Sequence, residues 1–323
     1  MISFAEALSL IRNGIQEIHY PEQPVKLYQP IAYLLDLKGK KIRPALTLLA
    51  CNLYKEDVAE SLNAALAWEI FHNFTLMHDD VMDNADVRRG QPAVHKKWDE
   101  NTAILSGDAM FLYAFRYIFK YSGEKLPQLL DLFSTTTMEI FEGQEYDISF
   151  ESRMDVSEKE YLNMIRLKTA VMIGACLKTG AIIGQATPSD QQLLYDFGIN
   201  LGIAFQIQDD ILDVYGNSAT FGKNIGGDIL CNKKTFLLIS ALNTAQGAEK
   251  EELLRWINVP DSPEKKIQAV TNLYNGLKIK DIARNKMEEF YQTACVTLNN
   301  VNVANDKKVV LKTLAEELMD RKT

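Results

Sequence analysis

Proline and glycine are scarce in this chain: 9 and 17 among 323 residues, with no proline between Pro127 and Pro188 or between Pro188 and Pro260. Strands need frequent turns, so long stretches without these breakers favour helices, and no useful β-alternation interrupts them. No glycine-rich nucleotide loop occurs. Lysine and arginine form no block, and 35 of them against 43 Asp and Glu leave a net charge of −8, which argues against nucleic-acid binding. Cys51, Cys176, Cys231 and Cys295 are far apart, with no CxxC pair, so they read as reduced thiols. No apolar run approaches 20 residues, and the N-terminal Met-Ile-Ser-Phe-Ala-Glu has neither a basic start nor a long apolar core. Neither a transmembrane segment nor a signal peptide is expected. These absences predict a soluble, cytoplasmic, all-α protein.

What is abundant is apolar residues, 47% of the chain, ample for a large core. Helical spacing begins near Phe4 and pauses around Pro21, Pro24 and Pro30; a second segment runs to Lys38, Gly39 breaks it, and helical spacing resumes from Pro44, with a further pause at 55–57. Helices are expected over 58–82, 102–121, 126–150, 157–184, 189–215 and 234–245, followed by shorter ones. Stretches 84–98 and 217–232 carry Gly and polar residues and read as loops. No repeat or linker divides the chain, which predicts one domain over 1–323.

Two acidic clusters stand out. Asp79-Asp80-Val81-Met82-Asp83 and Asp209-Asp210-Ile211-Leu212-Asp213 have the same DDxxD form, and each ends an apolar helical stretch. On a helix Asp79 and Asp83 share a face, as do Gln206, Asp209 or Asp210, and Asp213. A row of like charges is unfavourable unless cations hold it. Oxygen-only ligands suit Mg²⁺, which bridges a few carboxylates to substrate phosphates. Two facing rows would make a multi-Mg²⁺ diphosphate site. Cationic residues to match diphosphate are present: Lys40 and Arg43, Arg88 and Arg89, Lys168, and Lys223 and Lys233.

In their order along the chain, the stretch 39–44, His72, the first Asp motif with Arg88-Arg89-Gly90, Gly143-Gln144-Glu145-Tyr146-Asp147, Lys168-Thr169, the stretch 206–213, and Gly222-Lys223 with Gly226-Gly227-Asp228 closely resemble the trans-isoprenyl diphosphate synthases. The resemblance implies a single large helical bundle around a deep central cavity. It implies head-to-tail condensation of isopentenyl diphosphate with an allylic diphosphate (dimethylallyl, geranyl or farnesyl), and a homodimer. Carried over by position, Asp79 and Asp83, with Asp80, resemble ligands of two Mg²⁺ ions. Asp209 resembles the main ligand of a third, supported by Asp210 and Asp213. Arg88, Lys168, Lys223 and Lys233 resemble contacts to the allylic diphosphate, and Lys40, Arg43, His72 and Arg89 to isopentenyl diphosphate. Thr169 and Gln206 resemble polar groups near the developing allylic cation. Asp228 is expected to hold loop lysines or metal-bound water.

The physical logic agrees. Breaking the allylic C–O bond creates a carbocation and a highly charged leaving group, which metal ions and cationic side chains stabilise. The alkene attacks and a proton is lost, by the resemblance to the departing diphosphate, so no protein base is named. His72 could suggest general-base chemistry, but its neighbourhood favours a diphosphate contact. His19, His78 and His95 read as structural or polar.

Within the family, bulky residues just before the first Asp motif form a floor under the growing chain. Here Phe74 and Thr75 hold the fifth and fourth positions before Asp79. Ideal geometry puts Thr75 about 6 Å below Asp79, and Phe74 about 7.5 Å below but roughly 140° around. Geometry alone would not nominate Phe74; the resemblance does, with Phe111 and Tyr113 as a second obstruction. The short motif with one aromatic resembles geranylgeranyl-type enzymes (C20), the alternative being farnesyl-type (C15). A terpene cyclase would lack the second DDxxD, and a non-catalytic partner subunit would lose an Asp motif or the lysines.

Overall fold

Each helix begins and ends where the local chemistry dictates. The computed structural model of the chain describes residues 1–216, 225–258 and 262–320. Ser3 and Ser157 each close a capping box, with Glu6 and Glu160, at the starts of α1 (Phe4–Gln16) and α8 (Glu158–Ile165). Asp99 caps α6 (Glu100–Ile118) by accepting the Thr102 N–H at 2.8 Å. Between them lie α2 (Val25–Asp36), α3 (Ile42–Asn52), α4 (Leu62–Met82), the short α5 (Val94–Lys97) and α7 (Lys125–Glu151). Beyond α8 come a π-turn (Arg166–Ala170), α9 (Val171–Ile183) and α10 (Pro188–Tyr215). Then follow α11 (Gly227–Leu230), α12 (Phe236–Thr244), α13 (Gly247–Asn258), α14 (Pro263–Gly276), α15 (Ile279–Asn299) and α16 (Val309–Met319).

The all-α expectation holds. Among the described residues the strands are a two-residue pair, β1 (Val87–Arg88) and β2 (Gln91–Pro92), within the expected 84–98 loop. Pro30 departs from expectation: it lies inside α2 and is buried, where it forgoes one N–H bond without ending the helix. The expected loop 217–232 is described only from 225, where Gly227–Leu230 forms a helical turn. No described helix is long and apolar enough to cross a membrane.

The chain divides into two compact units. One comprises Met1–Ser134, Ala175–Leu194 and Asn302–Leu311; the other comprises Thr135–Gly174, Tyr195–Val301 and Lys312–Thr323. In the first, α4 is buried on almost every side, and Trp68, Phe71 and Phe133 form its aromatic centre. The Trp68 indole N–H donates to Thr179 Oγ1 at 3.0 Å, satisfying the polar end of a fully buried ring. In the second, Tyr161, Ile165, Ile207, Ile211, Phe236, Leu253 and Ile279 share one core.

Candidate active site

Asp79 and Asp80 occupy the last turn of α4, and Asp83 is its C-terminal cap residue. Carboxylates there meet the negative end of the helix dipole, at a cost of about 0.3–1 kcal/mol each. The row is not uniform. Asp79 is partly buried and Asp83 exposed, whereas Asp80 is only 1% exposed. Arg88 grips the Asp80 carboxylate, its Nε 3.0 and 3.1 Å from the two oxygens, while Nη2 also donates to Oδ1. Burial alone would lower the Arg88 pKa, but the bonds to Asp80 and the charges of Asp80, Asp79 and Asp83 raise it above its ordinary value. A tight turn delivers this arginine. Arg89 and Gly90 both have positive φ, 53° and 77°, between the paired residues Arg88 and Gln91, as a two-residue hairpin of right-handed twist requires.

Arg89 reaches α4 two turns nearer its N-terminus, on nearly the same face. Its Nη1 donates to Asn73 Oδ1 at 3.2 Å, and a Cβ on Gly39 would stand 3.0 Å from its Cζ. Asn73 Nδ2 donates to Glu69 Oε1 at 2.7 Å, and the buried Lys41 Nζ meets the same oxygen at 2.7 Å. Lys41, Glu69 and Asn73 carry no role in the sequence reading. A charged Glu69 inside the run Ala-Ala-Leu-Ala-Trp-Glu-Ile-Phe was the available signal, because an unpaired buried carboxylate would be prohibitive. Lys40 is exposed. Arg43 Nη1 donates to His72 Nε2 at 3.4 Å. Burial lowers the His72 pKa well below its ordinary value, helped by the charges of Arg43, Arg89, Lys41 and Arg88. The neutral ring accepts at Nε2, so its proton sits on Nδ1, an available donor.

Phe74 is buried and meets Phe71, Phe111 and His78, with ring centroids 5.5, 5.3 and 4.7 Å away. Thr75 Oγ1 donates to its own helix, at His72 O (2.8 Å). Phe111 thus joins Phe74, but Tyr113, two residues along α6, packs against Tyr20 and Tyr28 instead. His78 seats its Nε2 3.1 Å from Ile104 O, in a notch that exists because residue 107 is glycine: a Cβ there would stand 2.2 Å from the same nitrogen.

In the second unit, Lys168 and Thr169 lie in the π-turn, an irregularity common at functional sites. Gly143 and Gly202 let neighbouring helices press onto it; a Cβ on Gly143 would lie 2.3 Å from Lys168 N, and one on Gly202 2.6 Å from Ala170 Cα. Lys168 Nζ is 2.5 Å from Asp147 Oδ2. Burial would raise the Asp147 pKa, but the charges of Lys233 and Lys168 hold it below the ordinary carboxylate range. Lys233 itself is exposed.

Thr169 Oγ1 donates to Gln206 Oε1 (3.1 Å), and Gln206 Nε2 donates to Asp210 Oδ1 (3.3 Å). Asp210 Oδ2 accepts from the Tyr161 hydroxyl (2.5 Å) and from the Phe236 N–H (3.1 Å), an otherwise orphaned donor at the start of α12. Burial and the nearby Asp228 charge push Asp210 up to about 7, against the opposing effects of Tyr161, the Phe236 N–H and Lys233. Asp209 is partly buried, and Asp213 is buried with Oδ2 accepting the Asp228 N–H at 3.0 Å. Lys223 lies outside the described residues. Tyr161 went unnoticed in the sequence; a lone tyrosine in a helical stretch reads as core.

The model of the polyprenyl synthetase family matches residues 24–274. A geranylgeranyl diphosphate synthase of Methanosarcina mazei is 37% identical over 283 residues, covering 87% of each chain. A geranylfarnesyl diphosphate synthase of Natronomonas pharaonis is 34% identical, covering 99% of this chain and 97% of its own. A crystal structure of a geranylgeranyl pyrophosphate synthase superposes with TM-score 0.96 at 40% identity, over 100% of both chains. A polyprenyl synthase of Caulobacter crescentus, crystallised with calcium and isoprenyl diphosphate, gives TM-score 0.89 at 28% identity, covering 99% and 96%. A helical fold bearing two DDxxD rows is that of a prenyltransferase. The chain belongs to the polyprenyl synthetase family.

Proposed function

We propose that the chain condenses isopentenyl diphosphate with an allylic diphosphate, in a Mg²⁺-dependent reaction, and that its product is geranylgeranyl diphosphate (C20). The observation that carries this reading is the pair of DDxxD rows, each with its middle aspartate engaged inward by protein donors. Asp79, Asp83 and Asp209 offer only oxygen ligands. That suits Mg²⁺, which takes one or two carboxylates and leaves places for water and substrate oxygens. Three such ions, held by Asp79, Asp83 and Asp209 with Asp80, Asp210 and Asp213 behind them, would neutralise the leaving diphosphate.

Arg88, Lys168, Lys233 and Lys223 hold the allylic diphosphate as its C1–O bond breaks and both electrons leave with oxygen. Lys40, Arg43 and Arg89, with the His72 Nδ1–H donor, hold isopentenyl diphosphate so that its alkene pair forms the new C–C bond at C1. The proton displaced passes to the released diphosphate. Thr169 and Gln206 stand beside the developing cation. The family match over residues 24–274 runs through both units, and we propose 1–323 as one catalytic domain.

Product length is set by Phe74, with Phe111 packed against it. Incubation with Mg²⁺, isopentenyl diphosphate and separate C5, C10 or C15 primers tests the reading: a C20 product from each is expected. A C15 or C25 product would replace the length assignment, and no condensation would remove the function. We also propose a homodimer through α6, on which Leu105 and Leu112, with Phe119 at its C-terminal cap, form an exposed apolar row at heptad spacing. Sedimentation at twice the chain mass is the expected result, lost in Leu112→Lys.

A further inference from the structure

The hydrogen bonds that join Tyr161 to Thr169 have a direction. Tyr161 is buried to 2% exposure beside Phe236, and both its hydroxyl and the Phe236 N–H donate to Asp210 Oδ2. Asp210 Oδ1 accepts in turn from Gln206 Nε2 at 3.3 Å, so the side of Gln206 that meets the carboxylate is its NH₂. The Gln206 carbonyl is thereby turned toward Thr169, whose hydroxyl, facing an acceptor, must donate. The Thr169 proton is committed to Gln206, and the oxygen keeps its lone pairs for whatever lies beyond the chain.

We propose that Tyr161 and Asp210 are positioning residues: they set the polarity of this four-residue relay so that Thr169 offers the developing allylic cation an oxygen lone pair and never a proton. The inference rests on the prenyl-transfer reading above. A fixed lone pair stabilises positive charge as it forms, whereas an O–H turned the same way would oppose it. Low local dielectric strengthens the coupling from one bond to the next, so a donor at the far end of the relay is felt at its tip. Tyr161, Asp210 and Thr169 are each below 10% exposed and Gln206 is partly buried, which limits exchange of partners with water.

Tyr161→Phe keeps the ring and removes only the hydroxyl. Assays of variant and parent run side by side at one pH, about 8. With saturating Mg²⁺, kcat for condensation falls about tenfold. KM for isopentenyl diphosphate and the half-saturating Mg²⁺ concentration stay within about twofold. In a Thr169→Ala background the same substitution changes kcat less than about twofold, because the relay has lost its tip. Asp210→Asn, which allows the Gln206 amide to turn over, lowers kcat at least as far as Thr169→Ala does, and the double variant falls no further. Equal losses from Tyr161→Phe in both backgrounds, an unchanged kcat, or a raised Mg²⁺ requirement in Tyr161→Phe would each overturn the proposal. Thermal melting verifies that each variant is folded; if Asp210→Asn is not, the Tyr161 and Thr169 cycle decides. Absence of condensation by the unaltered protein would instead bring down the proposed reaction, and the relay with it.

Discussion

The two DDxxD rows share a pattern and differ in how their middle carboxylates are held. Asp80 faces a cation: Arg88 binds it side-on, and charge cancels charge within the unit. Asp210 faces neutral donors, a phenol, a backbone N–H and an amide, and its pKa is pushed up to about 7. An Arg–carboxylate pair is a rigid neutral brace. A carboxylate held by neutral dipoles has no cation to cancel it, and its oxygens can orient the groups that donate to them. The first arrangement stabilises a helix end; the second organises polar groups around it.

The largest expected effect concerns the outer carboxylates, where the rows should behave alike. Asp79→Asn and Asp209→Asn each lower kcat by about a thousandfold or more, and raise the Mg²⁺ needed for half-maximal rate. Initial rates across a Mg²⁺ titration check this, and chelation should abolish activity in the unaltered protein. Equal Mg²⁺ requirements in variant and parent would break the likeness between the rows.

The middle carboxylates should then separate. Arg88→Ala leaves Asp80 buried without its cation and costs about 2–3 kcal/mol, discounted because the guanidinium is partly exposed. Tyr161→Phe removes one of three donors to Asp210 and costs only about 1–2 kcal/mol. Urea denaturation compares them; equal losses would erase the distinction.

A third test lies behind the first row. Phe74→Ala removes a ring that meets Phe71, Phe111 and His78, and costs about 3 kcal/mol. Chromatography should detect product beyond the parent's length. An unchanged distribution would take Phe74 out of the length-setting role while leaving its place in the core.

The smallest effect is a pH dependence. His72 is neutral in the folded chain, its pKa held below the ordinary 6.5 by burial and neighbouring cations. Below about pH 6.5 the unfolded chain takes up a proton that the folded one refuses, so stability is lost as pH falls through that value. His72→Gln should flatten the decline in melting temperature between about pH 6.5 and 5. A decline as steep as the parent's would assign it to other groups.

Much of the fold was legible because helix signals are local. The expected start at 157 coincides with the capping box of Ser157 and Glu160, and the expected helix 58–82 holds neither Pro nor Gly; such signals act within a few residues of where they sit. Pro30 misled because one lost N–H bond is tolerated when packing holds the helix, as tertiary context here does. Within the site, spacing alone put Asp79 with Asp83 and Gln206 with Asp209 or Asp210; the hydrogen bond to Asp210 is the structure's choice. Lys41, Glu69, Asn73 and Tyr161 stayed hidden, because their partners lie on other elements or were read as core.

By itself the sequence determined a helical chain with two acidic rows and the cations to match, since period, charge and breaker spacing are properties of neighbours along the backbone. Only the tertiary structure decided which aspartate of each row turns inward and what it meets there. Burial and hydrogen-bond direction arise between elements: a hairpin arginine for Asp80, a phenol and the N-terminus of α12 for Asp210.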